Sequence, residues 1–380
     1  MSPSLRWGAV LLCLTLAGCT PTLTVTSAPI PTDSRARISL LPDPSVPLTS
    51  GEPVTVAVAD GVLTDVTLIG PTGRIPGALS KDGTAWVATE QPFAYGARYT
   101  LEATAVDFRG NRVTTRDEWA AIDPERFFTA TADPGDGATV GVGMPITVRF
   151  SKPVENRADV EGALRVTPPT PILGAWSWRD ARTVEFRPRD LWPGDMPVTL
   201  DMELTGVQAR PGVYGEGNTT QTFVLRPSMV SVVDAAAHMM QVFRAGTLVK
   251  TIPITTGKPG YETRSGTKVL LTKERVRVMD AATGGTDPSS PEYYRVAAPY
   301  AMRMTYSGEF VHAAPWSVGD QGFANVSHGC VGMSVTNGEW WWNNNEIGDV
   351  VVVKNTPVTQ GDDGNGLTVW NATWTQWLES

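Results

Sequence analysis

The chain has 380 residues, a formal net charge of −8 and a pI near 5.1. This acidic balance argues against nucleic acid as a partner and against a general basic membrane-binding surface. The length predicts two or three domains, and 37 Gly with 30 Pro dispersed along the chain favour short strands and turns over long helices.

The amino terminus has the pattern of an export signal. Arg6 is followed by an apolar run over residues 9–16 and then by Ala17-Gly18-Cys19, which predicts a signal peptide over residues 1–18. The run is shorter than the about 20 apolar residues that span a bilayer. Leu16-Ala17-Gly18-Cys19 resembles the lipobox of bacterial lipoproteins, which implies that Cys19 is acylated and becomes the first residue. An ordinary signal with a chance cysteine and an uncleaved anchor are the alternatives.

Residues 19–37 are rich in Thr, Ser and Pro. Such a segment is semi-extended and cannot build a core, so we predict a lipid-anchored linker. Because buried acyl chains contribute ~0.8 kcal/mol per CH₂, a multiply acylated Cys19 would hold the chain at the membrane. The predicted location is therefore exported, on the outer face of the cell membrane.

Two blocks of short strands follow, over residues 38–125 and 126–227. Val54–Ala59 alternates with period two, as a half-buried strand does, and is followed by a hairpin signal, Asp60-Gly61. Gly96–Leu101 in the first block corresponds to Gly194–Leu200 in the second. This weak repeat predicts tandem immunoglobulin-like β-sandwiches. Neither block contains a histidine, so we interpret both as spacer modules.

The third block, over residues 228–355, contains all three histidines. His238 lies in a predicted turn among small and polar neighbours, and we assign it no chemical role. The segment from Asp280 to Pro299 is rich in Gly, Pro, Ser and Tyr and has little periodicity. A loop of this length inside a compact domain is usually functional, often a lid.

Cys330 is the candidate nucleophile. The chain has three cysteines; signal removal takes away Cys13 and lipidation uses Cys19. A cysteine left alone in an exported chain indicates intermolecular pairing or a reactive thiol. His312 lies eighteen positions upstream, and a thiol beside an imidazole is the minimum equipment for covalent acyl transfer. Gly329 permits close approach of the backbone to a substrate.

Residues 356–380 are predicted to form an extension that packs on the catalytic block. Trp370, Trp374 and Trp377 are spaced by four and three residues, which places them on one face of a helical turn. A sugar-stacking platform is the alternative. Trp340-Trp341-Trp342 similarly predicts a helix partly buried beside the site.

The residues around Cys330 and His312 carry a family resemblance. Tyr306–Gly319 and Ser327-His328-Gly329-Cys330 closely resemble the signature of the L,D-transpeptidases of the bacterial cell wall, in particular the mycobacterial lipoprotein type. The resemblance covers the lipobox, both modules, the catalytic block and the Trp-rich tail. It implies a mainly β fold, with two immunoglobulin-like domains, a β-rich catalytic domain and a C-terminal extension, and no cofactor.

The resemblance also implies a reaction. Cys330 would attack the carbonyl between the third residue and D-Ala of a donor stem tetrapeptide in peptidoglycan, and D-Ala would leave. The side-chain amine of a diaminopimelate on a neighbouring stem would resolve the acyl-enzyme and form a 3→3 cross-link. Stem peptides are thus the implied partners, and carbapenem β-lactams the implied covalent inhibitors of Cys330.

Roles for further residues follow from the same resemblance. His312 would be the general base, oriented by the backbone carbonyl of Ala313. The backbone amides before and at the nucleophile would form the oxyanion hole, and the loop from Asp280 to Thr305 would cover the substrate. The implied oxyanion donors are His328, Gly329 and Cys330, and the implied substrate contacts are Met279, Tyr294, Trp316 and Ser327.

Two departures and several alternatives remain. Most relatives carry Asn or Arg where this chain has Gly332, which predicts the loss of a side-chain hydrogen bond near the nucleophile, and Gly284-Gly285 predicts a more flexible covering loop. His328 is either a pocket residue or a structural turn residue. No metal site is predicted, because no set of carboxylates or C-x-x-C spacing accompanies the two histidines and Cys330 that a zinc site would use. An L,D-carboxypeptidase and a weakly active or inactive wall-binding lipoprotein are the other functions considered.

Overall fold

The computed structural model describes residues 33–49, 53–89 and 94–380. The predicted signal peptide, Cys19 and most of the linker lie outside the described residues. The described residues form two compact units: one comprises residues 33–44, 54–89 and 100–118, and the other comprises residues 45–49, 53, 94–99 and 119–380. The fold is mainly β, as predicted. Across the described residues, no helix combines the length and apolar character needed to cross a membrane.

Residues 33–120 contain the first block of strands, most of which lies in the first unit. Its strands in the described part of the chain are β1 (Arg37–Leu41), β2 (Thr55–Ala59), β3 (Gly61–Gly70), β4 (Gly73–Ile75), β5 (Gly77–Leu79), β6 (Ala85–Ala88), β7 (Arg98–Asp107) and β8 (Arg112–Ala120). They form two four-stranded sheets, with the orders β1-β2-β6-β5 and β4-β3-β7-β8. Alternate residues are buried, such as Val56, Leu68 and Leu101, because a strand points successive side chains to opposite faces.

The second block of strands lies in the second unit. Its elements up to residue 225 are β9 (Arg126–Phe128), β10 (Ala130–Asp133), β11 (Thr139–Val140), β12 (Ile146–Phe150), α1 (Arg157–Gly162), β13 (Leu164–Thr167), β14 (Gly174–Trp178), β15 (Thr183–Pro188), β16 (Met196–Glu203), β17 (Gln208–Arg210), β18 (Val213–Gly215) and β19 (Asn218–Leu225). Two of the sheets have the orders β10-β12-β15-β14 and β11-β19-β16-β13. Buried Trp192 and Phe223 pack edge to face between them.

The remaining residues of this unit form the catalytic block and the extension. Their elements are β20 (Met229–Asp234), β21 (Met239–Arg244), β22 (Thr247–Pro253), β23 (Gly266–Val269), β24 (Thr272–Asp280), β25 (Arg295–Arg303), β26 (Phe310–Ala313), β27 (Val331–Met333), α2 (Val335–Asn344), β28 (Val350–Lys354) and α3 (Trp374–Leu378). The two sheets have the orders β22-β21-β20-β28-β23 and β24-β25-β26-β27. Trp341 of α2 is fully buried, and its indole N–H donates to Ser231 Oγ at 2.9 Å.

The predicted covering loop is shorter than the sequence suggested. Instead of a loop from Asp280 to Thr305, the chain forms a hairpin in which β25 pairs with β24 along its length, from Asp280↔Arg295 to Thr272↔Arg303. Only residues 281–294, which we call the flap, connect the two strands, with one 3₁₀ turn at Ala281–Gly284. The prediction was wrong for 295–303, because pairing with β24 satisfies the backbone groups of these residues despite their weak periodicity.

The C-terminal extension contacts the second sandwich as well as the catalytic block. The rings of Trp370, Trp374 and Trp377 lie 5.1, 5.4 and 5.0 Å from the Arg187 guanidinium of β15. Arg187 is only 3% exposed, so these cation–π contacts surround a buried charge. Asn371 meanwhile pairs with both backbone groups of Thr267. The tryptophans therefore join the extension to the sandwich, which argues against the sugar-stacking alternative.

The sandwich and the catalytic block are also joined through a backbone contact. The amides of Gly141 and Gly143 donate to the carbonyls of Ile347 and Gly348 at 2.8 Å each. Beside them, the fully buried Asp349 carboxylate accepts from the Glu346 amide at 2.7 Å and lies 3.8 Å from Arg226. Burial raises the pKa of Asp349 from 3.8 to about 7.

We expect this carboxyl to make stability depend on pH. A raised pKa favours the protonated form in the folded state, so its stabilisation is complete below pH 4 and is lost as the pH rises through 7. At about 1.4 kcal/mol per pKa unit, the loss is roughly 4 kcal/mol. Chemical unfolding of Asp349→Asn from pH 5 to 8 should give a flatter profile than the wild type. Asp190→Asn, at a side chain that is 80% exposed, is the control; equal slopes for all three proteins would contradict the assignment.

Candidate active site

The nucleophile and the predicted base are positioned by two neighbouring parallel strands. In the β26–β27 pair, Val311 lies opposite Val331 and His312 lies opposite Gly332. Both valines are fully buried in the core, so the pleat directs His312 and Gly332 to the other face. Cys330 immediately precedes β27, two residues before Gly332. The alternation that anchors the strands in the core thus brings the thiol and the imidazole to one surface.

That surface is the floor of a cavity of about 250 Å³. The cavity brings together most of the residues that the family resemblance singled out. Its lining residues are Thr255, Met279, Tyr294, Val296, His312, Ala314, Trp316, Ser317, Val326, Ser327, His328, Cys330 and Gly332. Only Ala313 and Gly329 among the predicted residues are missing from this set, and both are assigned roles through their backbone.

The imidazole of His312 is held in one orientation. It is 4% exposed, and its Nδ1 lies 2.7 Å from the carbonyl oxygen of Ala313. A carbonyl can only accept, so Nδ1 carries the proton and Nε2 presents its lone pair. Burial lowers the pKa of His312. The imidazole is therefore a neutral base near neutral pH. The centre of the Trp316 ring lies 5.7 Å from the centre of the imidazole.

Cys330 is a protonated thiol in this environment. It is 7% exposed, and burial raises its pKa to about 12. Its Sγ lies 3.8 Å from the Gly308 carbonyl oxygen and 4.0 Å from Met279 Sδ. Full proton transfer to His312 before attack would create two buried charges, which is unfavourable. The arrangement favours removal of the proton as the sulfur attacks.

Residues 327–330, the nucleophile loop, are organised by the side chain of Ser327. Its hydroxyl donates to the Cys330 carbonyl at 2.7 Å and accepts from the Gly329 amide at 3.1 Å. Gly329 has φ +114°, a conformation that favours glycine, and its carbonyl accepts from Thr263 Oγ1 at 2.9 Å. The Gly329 amide is thus bonded within the loop, and its place in the oxyanion hole stays a prediction. Ser327 acts within the loop although it also lines the cavity.

Gly332 forms part of the cavity floor. Its two backbone groups pair with Thr255 at 2.9 Å each. An added Cβ would lie 3.0 Å from Ala314 Cβ and 3.1 Å from Thr255 Cγ2. Glycine at this position therefore leaves room between Ala314 and Thr255 on the cavity floor, and the loss of a side-chain hydrogen bond stays a prediction.

Introducing Asn at this position should destabilise the site. We expect Gly332→Asn to lower the free energy of unfolding by about 1–3 kcal/mol through overpacking and to slow alkylation of Cys330. Urea unfolding and the rate of iodoacetamide labelling measure the two effects. Gly361→Asn is a control, because an added Cβ there meets no atom within 4 Å. Wild-type stability and labelling in Gly332→Asn would refute this account of the glycine.

A second cavity, of about 580 Å³, is lined in part by residues of the flap. Met279, Tyr294 and His328 line both cavities, so these three side chains form a partition. Arg277 and Arg303 line only the second one and flank the ring of Phe310 at 5.9 and 4.6 Å. Sequence reasoning missed this cavity, since its residues come from segments far apart in the chain.

A buried ion pair also escaped prediction. Lys268 and Glu309 are 2% and 4% exposed, and Lys268 Nζ lies 2.6 Å from Glu309 Oε2. Arg264 binds the other carboxylate oxygen at 3.0 Å. Glu309 follows Gly308, whose carbonyl contacts Cys330, so the pair supports the backbone beneath the nucleophile. The only sequence signal for this ion pair was that Lys268 and Glu309 lie in or next to segments of β-forming residues.

The surroundings of His238 and His328 bear on whether a zinc ion could bind here. His238 lies in the turn between β20 and β21 with φ +53°, and its Nδ1 is 3.0 Å from Asn325 Oδ1. His328 Nε2 instead lies 2.8 Å from Glu292 Oε2 of the flap. Within residues 33–49, 53–89 and 94–380, no group of three or more His, Cys, Asp or Glu side chains is arranged to hold a metal ion.

Comparisons with known proteins agree with this architecture. A family model described as a bacterial Ig domain matches residues 46–208, and one described as an L,D-transpeptidase catalytic domain matches residues 228–353. L,D-transpeptidase 2 of Mycobacterium tuberculosis is 36% identical over 336 residues, covering 88% of this chain and 82% of the relative. L,D-transpeptidase 5 of the same species is 29% identical over 334 residues, covering 86% and 72%.

Solved structures give the same result. The L,D-transpeptidase LdtMt1 in complex with imipenem is 36% identical, has a TM-score of 0.51, and is matched over 59% of this chain and 97% of that one. The L,D-transpeptidase from Mycobacterium smegmatis is also 36% identical, with a TM-score of 0.50 and the same coverage. With the strand-held thiol and imidazole, these similarities show that the chain belongs to the L,D-transpeptidase family.

Proposed function

We propose that the chain forms 3→3 cross-links between peptidoglycan stem peptides through an acyl-enzyme on Cys330. The observation that carries the proposal is the placement of a buried thiol and a neutral imidazole on one cavity floor. The second cavity supports transfer over hydrolysis, since a cross-linking enzyme must accommodate two stems. An L,D-carboxypeptidase, in which water resolves the same intermediate, is the alternative.

In the acylation half, Cys330 Sγ attacks the carbonyl carbon between the third residue and D-Ala of the donor. The thiol proton passes to Nε2 of His312 as the C–S bond forms, and the tetrahedral oxyanion is stabilised by backbone amides of the nucleophile loop, with those of His328 and Cys330 as the candidates. Such donors contribute about 2.7–4 kcal/mol each. The C–N bond then breaks, and His312 gives its proton to the departing D-Ala amine.

In the second half, the side-chain amine of the acceptor diaminopimelate attacks the thioester. His312 accepts a proton from this amine, the C–S bond breaks, and the thiolate of Cys330 is reprotonated. Met279 and Tyr294 sit on the partition between the cavities, where they would contact both stems, and Trp316 would flank the donor. The Ala313 carbonyl keeps the base in the required tautomer throughout.

Two further features belong to the proposal. Because the similar LdtMt1 has a structure with imipenem, we expect carbapenems to acylate Cys330. The lipobox-like sequence at Cys19 supports anchoring by lipid at the outer face of the cell membrane, facing the cell wall, with residues 19–37 as the tether.

The experiment that tests the function is product analysis. Purified protein is incubated with a disaccharide-tetrapeptide, and the products are separated and identified by mass spectrometry. A cross-linked dimer with release of one D-Ala per link supports transpeptidation. Disaccharide-tripeptide without dimer would instead favour the carboxypeptidase, and unchanged substrate together with an unmodified Cys330 after imipenem treatment would favour a wall-binding protein without activity.

A further inference from the structure

We propose that Glu292 is a positioning residue that fastens the flap to the nucleophile loop through a strap of three side chains, Lys258, Glu292 and His328. The inference rests on the proposed function, because it concerns the same reaction. Sequence patterns gave no indication of it, since the three residues belong to three separate segments. One member of the strap, His328, belongs to the partition between the two cavities.

The carboxylate of Glu292 is the centre of the strap. Its Oε2 lies 2.8 Å from His328 Nε2 and 2.5 Å from Lys258 Nζ. Both partners lower the pKa of Glu292, Lys258 first, so the carboxylate is ionised at neutral pH. A carboxylate only accepts, and His328 therefore carries a proton on Nε2. One carboxylate oxygen of the flap thus binds two donors. His328 supplies the donor from the nucleophile loop, and Lys258 supplies the donor from the connection between β22 and β23.

The ring of His328 is also confined by aromatic neighbours. Tyr261 meets it edge to face at 4.5 Å, and Tyr294 of the flap lies at 4.8 Å. With Glu292 at one edge, the imidazole has a fixed direction between the two tyrosines. His328 precedes Gly329-Cys330, and the Lys258 amide donates to the Ser327 carbonyl at 2.9 Å. Fixing the side chain of His328 therefore also fixes the backbone that leads to the nucleophile.

This arrangement links flap position to reactivity. Tyr294 and His328 form the partition with Met279, which lies 4.0 Å from the thiol. The side chains of Lys258, Glu292 and His328 are 30, 42 and 23% exposed, so water and salt reach the strap. Exposed ion pairs are weakened by salt, which gives a contact that can open for substrate entry and close over the acylation site.

The test compares flap variants in the complete protein. We expect Glu292→Ala to lower the second-order rate of Cys330 acylation by imipenem about tenfold, because small misplacements of reacting groups cost this much or more. Glu292→Gln, which keeps an acceptor for His328 but loses the charge facing Lys258, should fall between. Asp287→Asn is the matched control, since this flap carboxylate bonds Ser289.

Salt dependence separates the strap from simple packing. Added NaCl should slow the wild type towards the rate of Glu292→Gln and leave Glu292→Ala unchanged. Lys258→Met should behave like Glu292→Gln, and combining it with Glu292→Ala should add no further loss. Hydrogen exchange should rise in the flap and the nucleophile loop of Glu292→Ala, with the thermal midpoint unchanged.

Wild-type acylation and hydrogen exchange in Glu292→Ala, or an equal loss in Asp287→Asn, would overturn the proposal. If imipenem does not acylate the wild type, the proposed function has failed and the strap is not yet refuted. The comparison of hydrogen exchange between the wild type and Glu292→Ala then tests the strap. Should Glu292→Ala not fold, Glu292→Gln and Lys258→Met provide the same comparison.

Discussion

Replacing Cys330 with alanine is expected to abolish cross-link formation and D-Ala release, a loss of about 10⁴-fold or more, as for other covalent nucleophiles. The chain has three cysteines, two of them in the amino-terminal 19 residues, so the core of the catalytic block offers no second thiol. Product formation from disaccharide-tetrapeptide, followed by chromatography and mass spectrometry, measures the effect.

The control for this variant is its stability. Alanine removes one sulfur from a side chain that is 7% exposed, so the thermal midpoint should shift by only a few degrees. Serine at 330 is a second control that keeps a hydroxyl in place of the thiol, and we expect it to be inactive as well. Product at wild-type yield from folded Cys330→Ala would contradict the acyl-enzyme mechanism altogether.

Replacing His312 with glutamine is expected to reduce kcat/KM by about 10²–10⁴-fold, the usual contribution of a general base. The effect should be strong here because the pKa of Cys330 is raised to about 12 by burial, which leaves little thiolate without a base. Glutamine retains a donor for the Ala313 carbonyl while removing the lone pair of Nε2. Initial rates of tetrapeptide consumption measure the loss.

The pH dependence of the rate shows which protonation state of His312 is active. Its pKa is lowered by burial, so the neutral, active imidazole is present at neutral pH and is lost only as the pH falls through this lowered value. We expect the wild-type rate to hold from pH 8 to below 6.5 and then to decrease, whereas His312→Gln should lack this acidic decrease. An acidic decrease preserved in the variant would assign the titration to another group.

The sequence predicted those parts of the molecule that depend on local pattern. Alternation at Val54–Ala59 gave a strand, and the fold class was confirmed. His312 and Cys330 were singled out because cysteine is scarce and the flanking residues are distinctive. The structure places them on one face of adjacent strands, an arrangement that follows from the burial of Val311 and Val331 on the opposite face.

Features that depend on distant segments were not predictable in this way. Arg187 and the tryptophans of the extension are separated by more than 180 positions, and spacing alone could not name their partner. Strand β25 pairs with β24 across the 14-residue flap, and its own weak periodicity gave no sign of that pairing. The hydroxyl of Ser327 bonds two backbone groups of its own loop, an arrangement that its position in the sequence does not reveal.

Direct detection of the intermediate tests the central claim. The protein is mixed with disaccharide-tetrapeptide, quenched in acid within seconds, digested and examined by tandem mass spectrometry. The account predicts that the peptide containing Cys330 gains the mass of the donor minus D-Ala, and that the adduct disappears when acceptor is added. Release of D-Ala while Cys330 stays unmodified at every quench time would contradict it.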